Sequence, residues 1–315
     1  METALHNILE RVRAAAADAT PLRLCGGGSK DFHGLALEGT PLELRPLRGI
    51  ISYEPTELVV TARAGTPLQE LQATLAQAGQ ALAFEPPHFA LGDKQPTVGG
   101  MVAAGWSGPA RASSGAVRDF VLGVEIINGR GELLRYGGQV MKNVAGYDVS
   151  RLMAGSWGTL GVITEVSLKV LPVAPAQATL VFAMNEAQAL EALNRWGGQP
   201  LPLNASCWAQ GQLWLRLCGA QAAVQAACQK LGGERLPDDQ AAALWHSLRE
   251  QQHPWFAQRS DADALWRLSL PQTAAPLALP ESLAAPLIEW HGAQRWVQAP
   301  RSMASAITAA AQAAG

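Results

Sequence analysis

Hydrophobic and polar positions divide the 315 residues into two parts with different patterns. Up to about residue 172, short apolar runs alternate with amphipathic and glycine-rich stretches, which predicts alternating strands and helices. A linker, PVAPAQA, follows from Pro172 to Ala178, and eight of the ten tryptophans lie beyond residue 190. We therefore predict an α+β protein with a first domain over 1–172 and a smaller α+β domain over 173–315.

In the first part, the apolar spacing predicts a helix over Thr3–Ala17 and a second helix that begins after Thr66. Thr66 is the expected N-cap, Pro67 the first helical residue, and Gly79 lies just past the end. The tetrapeptide NGRG lies between two apolar runs and is typical of a hairpin turn. The predicted strands are Leu22–Cys25, Leu58–Ala62, Val121–Ile127, Glu132–Arg135 and Val162–Leu171.

The second part reads as helices and strands in mixed order. The predicted strands are Thr179–Met184, Trp266–Leu270 and Ile288–Val297, with a strand or hairpin over Ala205–Cys218. The predicted helices are Glu186–Trp196, Ala220–Leu231 and one around Ala241–Gln251, before an alanine-rich tail.

Three glycine-rich segments in the first part carry the main functional signal. They read CGGGSK from Cys25, QPTVGGMVAAGWSG from Gln95 and GSWGTLGVITEV from Gly155. The first fails the Rossmann pattern G-x-G-x-x-G, because Asp31 holds its sixth position, and the chain lacks the Gly-Lys pair of a P-loop. A nest of backbone N–H groups for an anion remains open for it, as does a tight turn. Three such segments together indicate a backbone that approaches one extended, charged ligand.

Composition excludes several classes of protein. The net charge of −2 gives no electrostatic footprint for nucleic acid. Cys25, Cys207, Cys218 and Cys228 form no CxxC pair, which argues against a zinc site or an iron–sulfur cluster held by this chain. The start of the chain lacks the apolar region of a signal peptide, and no apolar run is long enough to span a bilayer. We therefore expect a soluble, cytoplasmic protein.

The glycine-rich segments, with the stretch KNVAGYD between them, resemble the PCMH-type FAD-binding domain of the vanillyl-alcohol-oxidase family over about residues 1–172. Within that family, the stretches CGGGSKDFHG and GGQVMKNVAGYDVSRLMAGSWGTLGV are most similar to the smaller FAD-binding subunits of bacterial glycolate oxidases. The late stretches LWRLSLP and IEWHGAQRWV extend that resemblance over nearly the whole chain.

The resemblance implies FAD bound without a covalent bond, because flavinylated relatives carry a histidine in the glycine loop where this chain has Ser29. His33, four residues on, is interpreted as an ordinary loop histidine. The helix from about Val98 is expected to give its N-terminus to a phosphate. The implied cofactor-binding residues are Gly26, Gly27, Gly28, Ser29, Lys30, Pro96, Thr97, Val98, Gly99, Gly100, Gly105, Trp106, Ser107, Gly108, Asn143, Gly158, Thr159, Gly161, Val162 and Ile163.

Catalytic residues are harder to assign. Oxidation of a 2-hydroxy acid needs a cation for the carboxylate and a base for the hydroxyl proton. Arg267 and Arg295 are candidates for the cation, and His253 and His291 for the base; ordinary structural roles are the alternative for each. No metal site is expected, since the six histidines show no ligand spacing. Lys142, Asn143, Tyr147 and Asp148 either lie beside the flavin or, in part, cap a helix.

Two hypotheses about function remain open from the sequence. The resemblance implies a subunit that works beside a larger FAD-linked subunit and an iron–sulfur subunit to oxidise glycolate, with peripheral attachment to the inner face of the membrane through those partners. The alternative is a self-sufficient FAD-dependent dehydrogenase of a small 2-hydroxy acid. A structural subunit that has lost its flavin is a weaker third hypothesis, because the glycine segments are intact.

Overall fold

The computed structural model describes residues 2–34, 36–138 and 147–315. The chain forms two compact units. The first comprises Met1–Ser107 and Gly115–Val173, and the second comprises Gly108–Ser114 and Ala174–Gly315. The short segment Gly108–Ser114 therefore belongs with the later part of the chain, whereas the predicted division into two successive domains places it in the first.

The first unit contains four helices and nine strands among its described residues. They are α1 (Glu2–Ala17), β1 (Leu22–Cys25), β2 (Thr40–Glu43), β3 (Ile50–Glu54), β4 (Val59–Arg63), α2 (Leu68–Gln77), β5 (Gln80–Ala81), α3 (Val98–Ala104), β6 (Val121–Ile127), β7 (Leu133–Gly137), α5 (Val149–Leu152), β8 (Val162–Lys169) and β9 (Leu171–Pro172). The helix between α3 and α5, α4 (Arg111–Ser114), belongs to the second unit.

An antiparallel sheet of order β3-β4-β8-β6-β7 forms the centre of the first unit. Helix α2 buries Leu68, Leu71 and Leu75, which recur at helical spacing, in the same core as β4 and β8. Strands β1 and β2 pair in parallel and pack with α1 in a smaller cluster. This arrangement sets the end of β1, where the glycine loop begins, beside the start of α3.

The second unit is built on an antiparallel sheet of order β13-β10-β12-β11-β15-β16-β14. Its strands are β10 (Ala176–Ala183), β11 (Leu203–Ala209), β12 (Gln212–Gly219), β13 (Glu234–Leu236), β14 (Asp263–Ser269), β15 (Leu287–Glu289) and β16 (Gln294–Pro300). Its later helices are α6 (Glu186–Gly197), α7 (Gln221–Leu231), α8 (Asp238–Arg249), α9 (Pro254–Ala257) and α10 (Ala304–Ala313). One apolar cluster holds residues of α6 and α7, and another holds residues of α8 and α9, so both faces of the sheet are covered.

The α+β class is confirmed, and two local predictions are wrong. Thr66 does not cap α2: Pro67 holds the cap position, and the Thr66 hydroxyl instead accepts a hydrogen bond from the N–H of Gly49 at 2.9 Å. The predicted strand Ile288–Val297 is a hairpin of β15 and β16, because Trp290, His291 and Gly292 adopt positive φ angles that no strand allows. The NGRG hairpin forms as predicted between β6 and β7.

Candidate cofactor site

A cavity of about 370 Å³ lies in the first unit where the three glycine-rich segments meet. Its walls come from the end of β1 and the loop after it, the start of α3, and the loop before β8. Twelve of the expected cofactor residues line it: Gly26, Gly27, Gly28, Ser29, Lys30, Pro96, Thr97, Gly99, Gly100, Gly158, Gly161 and Ile163. Segments far apart in sequence thus share one cavity, as a single extended ligand requires.

The remaining expected residues do not line this cavity. Val98 and Val162 belong to the apolar cores, and the hydroxyl of Thr159 donates to the carbonyl of Ser156. Gly105 ends α3 in a left-handed conformation, and the Ser107 hydroxyl accepts from the N–H of Val117.

Three further residues, Gly108, Tyr147 and Asp148, lie elsewhere. Gly108 belongs to the second unit, where its carbonyl accepts from Trp290 Nε1 at 3.1 Å. Tyr147 is 98% exposed, and the Asp148 carboxylate caps α5 by accepting from the Arg151 N–H. Lys142 and Asn143 lie outside the described residues.

Two glycines of the cavity are required by the protein's own packing. A Cβ on Gly27 would stand 1.4 Å from the carbonyl oxygen of Gln95, and one on Gly99 would stand 2.6 Å from the Ala64 Cβ. A side chain is therefore excluded at both positions before any ligand is considered. Gly28 has φ +71°, which also favours glycine.

The backbone of the glycine loop presents unused hydrogen-bond donors. Within the described part of the chain, the N–H groups of Gly26, Gly27, Gly28 and Ser29 find no acceptor. Four successive backbone donors without a protein acceptor at a cavity wall form the kind of nest that binds an anion. Backbone N–H groups therefore supply most of the positive partial charge at this part of the cavity wall.

Arg23 adds a cation that the sequence analysis missed. It lines the same cavity, and its Nε is buried with no hydrogen-bond partner among the described residues. Other charges at the wall are already engaged: Lys94 faces Asp31 at 3.6 Å, and the Arg45 guanidinium pairs with Glu43 at 2.8 Å. The signal in the sequence was a lone arginine within the otherwise apolar strand LRLC.

The Lys30 ammonium group is held in place at the cavity wall. Its Nζ donates to the Pro87 carbonyl at 3.2 Å and lies 3.4 Å from the Ser29 hydroxyl. Lys30 is expected to contribute positive charge to the cofactor site, and these two contacts fix the position of that charge.

Aromatic side chains at this cavity were also missed. His33 stacks on Trp157 with ring centroids 4.7 Å apart, and both line the cavity. Sequence spacing gave no hint, because the two residues lie in different loops that only the fold brings together.

The arginine candidates of the second unit have structural partners. Arg295 is fully buried and donates to the carbonyls of Gly292, Ala274 and Ala275. Its guanidinium also faces the Glu186 carboxylate at 3.6 Å, and burial lowers its pKa. Arg267 donates to the Gln294 side chain at 2.8 Å, and its pKa is lowered by burial and by the nearby Arg111.

The two histidine candidates are neutral groups in different settings. His253 caps α9 by accepting from the Trp255 N–H, and burial lowers its pKa. His291 lies against the Ser113 hydroxyl at 2.9 Å through Nε2, while its Nδ1 has no partner among the described residues. Burial lowers the pKa of His291 to about 4. The two arginines have different surroundings: Arg295 contacts α6, whereas Arg267 lies over Trp290 and Trp296.

Residues 2–34, 36–138 and 147–315 contain neither a metal-binding group of side chains nor a membrane span. No three His, Cys, Asp or Glu side chains among them are placed to hold a metal ion. None of the helices there is both long and apolar enough to cross a bilayer.

Known proteins that resemble this chain share its fold or a cofactor-binding domain. Residues 5–137 match the model of the family described as FAD binding domain. The solved structure of an alkyldihydroxyacetonephosphate synthase shares the fold, with a TM-score of 0.66 over 98% of this chain and 72% of its own, at 14% identity.

Two sequence relatives differ in how much of the chain they match. Glycolate oxidase subunit GlcD of Bacillus subtilis is 32% identical over 158 residues, which cover 50% of this chain and 32% of the relative. Glycolate oxidase subunit GlcE of Escherichia coli is 49% identical over 291 residues, which cover 92% of this chain and 79% of the relative. The chain, with its FAD-binding domain, therefore belongs to the family of the glycolate oxidase subunit GlcE.

Proposed function

We propose that this chain is the FAD-binding subunit of a glycolate oxidase complex, in which glycolate is oxidised to glyoxylate and the electrons pass through flavin to an iron–sulfur partner. The observation that carries the proposal is the cradle of four backbone N–H groups without an acceptor among the described residues, with the buried Nε of Arg23 beside it. Similarity to GlcE over 92% of the chain supports the complex.

Main-chain and side-chain groups at the cavity both contribute to binding FAD. The N–H groups of Gly26 to Ser29 bind the pyrophosphate oxygens, and Arg23 and Lys30 balance its charge. When bound, FAD accepts the hydride that leaves the hydroxyl-bearing carbon of the substrate. The cofactor is held without a covalent bond: Ser29 occupies the loop position, and His33 stacks on Trp157 and meets Trp106 edge-to-face.

The proposal assigns cofactor binding, partner contact and proton removal to different domains and subunits. Residues 1–172 bind the cofactor, and residues 173–315 contact the larger FAD-linked subunit and the iron–sulfur subunit, which attach the complex peripherally to the membrane. The candidates of the described second unit are largely engaged within the protein: Arg295, Arg267 and His253 have protein partners, and His291 contacts the Ser113 hydroxyl through Nε2. Proton removal from glycolate is therefore assigned to the larger subunit.

Two measurements test the proposal. The purified chain is expected to be yellow and to release intact FAD into the supernatant on acid precipitation; a protein that cannot be loaded with FAD refutes cofactor binding. In stopped-flow experiments, glycolate is expected to reduce the isolated chain slowly, and adding both partner subunits restores electron flow to a dye. Rapid, saturable bleaching of the isolated chain would instead establish a self-sufficient dehydrogenase.

A further inference from the structure

Two arginine side chains of the second unit lie over the same tryptophan ring. The guanidinium carbons of Arg111, in α4, and Arg267, in β14, stand 4.4 Å and 5.1 Å from the ring centroid of Trp290. The guanidinium of Arg267 also lies over Trp296 at 5.9 Å. An indole face attracts a guanidinium group, so these rings favour fixed places for both cations. Residues far apart in the sequence thereby bring two positive charges together.

A chain of hydrogen bonds fixes the position of Arg267. Its Nε donates to the side-chain oxygen of Gln294 at 2.8 Å, and the Gln294 side-chain amide donates to the buried Glu289 carboxylate at 3.0 Å. The same carboxylate oxygen accepts from Trp296 Nε1 at 2.7 Å. Among the described residues, no protein atom accepts from the two terminal nitrogens of Arg267, and its side chain is exposed. Arg267 therefore presents a positioned pair of donors to solvent.

The segment that carries Arg111 is attached to the hairpin of β15 and β16. Trp290 Nε1 donates to the Gly108 carbonyl at 3.1 Å, and the Ser113 hydroxyl lies 2.9 Å from His291 Nε2. Burial lowers the pKa of His291 to about 4, so its ring is neutral at pH 7. The positive charge beside Trp290 therefore comes from the two arginines and not from the histidine.

The charges that act on Arg267 leave one positive charge in excess. Partial removal of the guanidinium from water is the largest cause that lowers the pKa of Arg267. Arg111 lowers that pKa further, because like charges repel, whereas Glu289 raises it. One carboxylate thus acts against two guanidinium groups. A ligand with a single negative charge matches this excess, whereas a dianion exceeds it.

We propose that Arg267 and Arg111 bind the carboxylate of a small monocarboxylic acid. The planar fork of a guanidinium matches the two oxygens of a carboxylate, and the terminal nitrogens of Arg267 are its donors. Because Gln294 and the indole rings hold this fork in advance, little conformational freedom is lost on binding. The site is open to water, so we expect a dissociation constant in the millimolar range. Neither arginine lines the FAD cavity, so acid binding here does not depend on the proposed function.

Titration of the full-length chain with acetate, at an ionic strength held constant with sodium chloride, tests this site. Line broadening of ¹³C-labelled acetate in NMR spectra gives the dissociation constant. Arg267→Met is expected to weaken binding about tenfold, because charge-assisted hydrogen bonds are lost. Arg267→Lys is expected to weaken binding less, since it keeps the charge without the fork. The control is Arg235→Met, an exposed arginine of the same unit that pairs with Asp238, which is expected to match the wild type.

Four outcomes would overturn the inference. Acetate binding that is unchanged in both Arg267→Met and Arg111→Met would place the acid elsewhere on the chain. Tighter binding of inorganic phosphate than of acetate would contradict the single excess charge. If the wild type binds no acetate while Arg267→Met weakens capture by the partner subunits, the arginine contacts an acidic side chain of a partner instead. Should Arg267→Met fail to fold, Arg267→Lys decides, and affinity equal to that of the wild type would refute recognition by the fork.

Discussion

The cavity of the first unit and the polar core of the second unit hold their cationic side chains in opposite ways. Arg23 lines a cavity with its buried Nε unpartnered among the described residues. Arg295 is completely buried, and three backbone carbonyls and Glu186 surround its guanidinium. Because an unpaired buried polar group is costly, the unpartnered arginine marks a ligand site and the partnered one marks structure.

The exposed apolar side chains follow the same division. Large exposed hydrophobic residues of the described chain, among them Phe32, Leu91 and Trp157, belong to the first unit. The tryptophans of the second unit instead pack into apolar clusters or donate their indole N–H to protein oxygens, as Trp245, Trp255 and Trp296 do. Two of the exposed side chains of the first unit, Leu37 and Trp157, line its cavity, whereas Trp245, Trp255 and Trp296 of the second unit are buried.

The largest expected effect tests whether Arg295 is structural. Arg295→Met would leave three carbonyls and the Glu186 carboxylate without their cation, and breaking such a buried pair costs about 3–5 kcal/mol. We expect urea unfolding to show that loss while the ratio of FAD to folded protein stays unchanged. The exposed Arg235, which pairs with Asp238 at 3.3 Å, is the control, and Arg235→Met is expected to cost less than about 1 kcal/mol. A stable Arg295→Met protein that has lost FAD would reverse this assignment.

Gly27→Ala is expected to damage the first unit by a steric route. The new Cβ would meet the Gln95 carbonyl oxygen, so the loop must move, at a cost of about 3 kcal/mol or more. The measurement is the unfolding free energy together with the FAD content, and both are expected to fall. Gly129, which has no atom within 4 Å of an added Cβ, provides the control variant Gly129→Ala. Full FAD content in Gly27→Ala would contradict the close approach.

The second unit is expected to lose stability in acid through His291. Its folded-state pKa of about 4 lies below the ordinary value of 6.5, so only the unfolded chain takes up this proton between those pH values. The free energy of unfolding therefore falls as the pH drops from 6.5 to about 4, by at most about 3 kcal/mol from this group.

The variant His291→Asn isolates that effect, because asparagine tolerates the left-handed conformation at φ +56°. Urea unfolding at several pH values is expected to show a shallower slope for His291→Asn and an unchanged slope for the control His246→Asn, whose side chain is exposed. Equal slopes for the wild type and His291→Asn would disprove the role of His291.

The smallest expected effect is a difference in FAD affinity between variants of two arginines that line the same cavity. Arg23→Met removes an unpartnered cation from the FAD site, and loss of a charge-assisted hydrogen bond weakens binding about tenfold. Arg45→Met removes a cation that Glu43 already engages, so its effect is expected to stay within about twofold. Fluorescence titration of the FAD-free chain measures both. Identical dissociation constants for the two variants would show that Arg23 does not face the cofactor.

Local sequence determined the elements wherever periodicity and turn chemistry agree. Strand Leu22–Cys25 has the predicted ends, and Asn128 closes the NGRG hairpin by accepting from the N–H groups of Arg130 and Glu132. Helix α6 begins at Glu186 as predicted, because Asn185 and Gln188 form a capping box. The glycine-rich segments also predicted which parts of the chain meet, since all three line the same cavity.

Only the tertiary structure decided which polar groups have partners. Nothing in the sequence around Arg23 or Arg295 shows that the Nε of Arg23 finds no acceptor among the described residues. Nor does it show that Arg295 donates to three carbonyls, two of them from Ala274 and Ala275. The same holds for Gly27, whose need for glycine comes from Gln95, and for Trp157, which meets His33 across more than a hundred residues. Burial and hydrogen bonding depend on contacts between segments far apart in the chain, whereas periodicity reports only the local backbone.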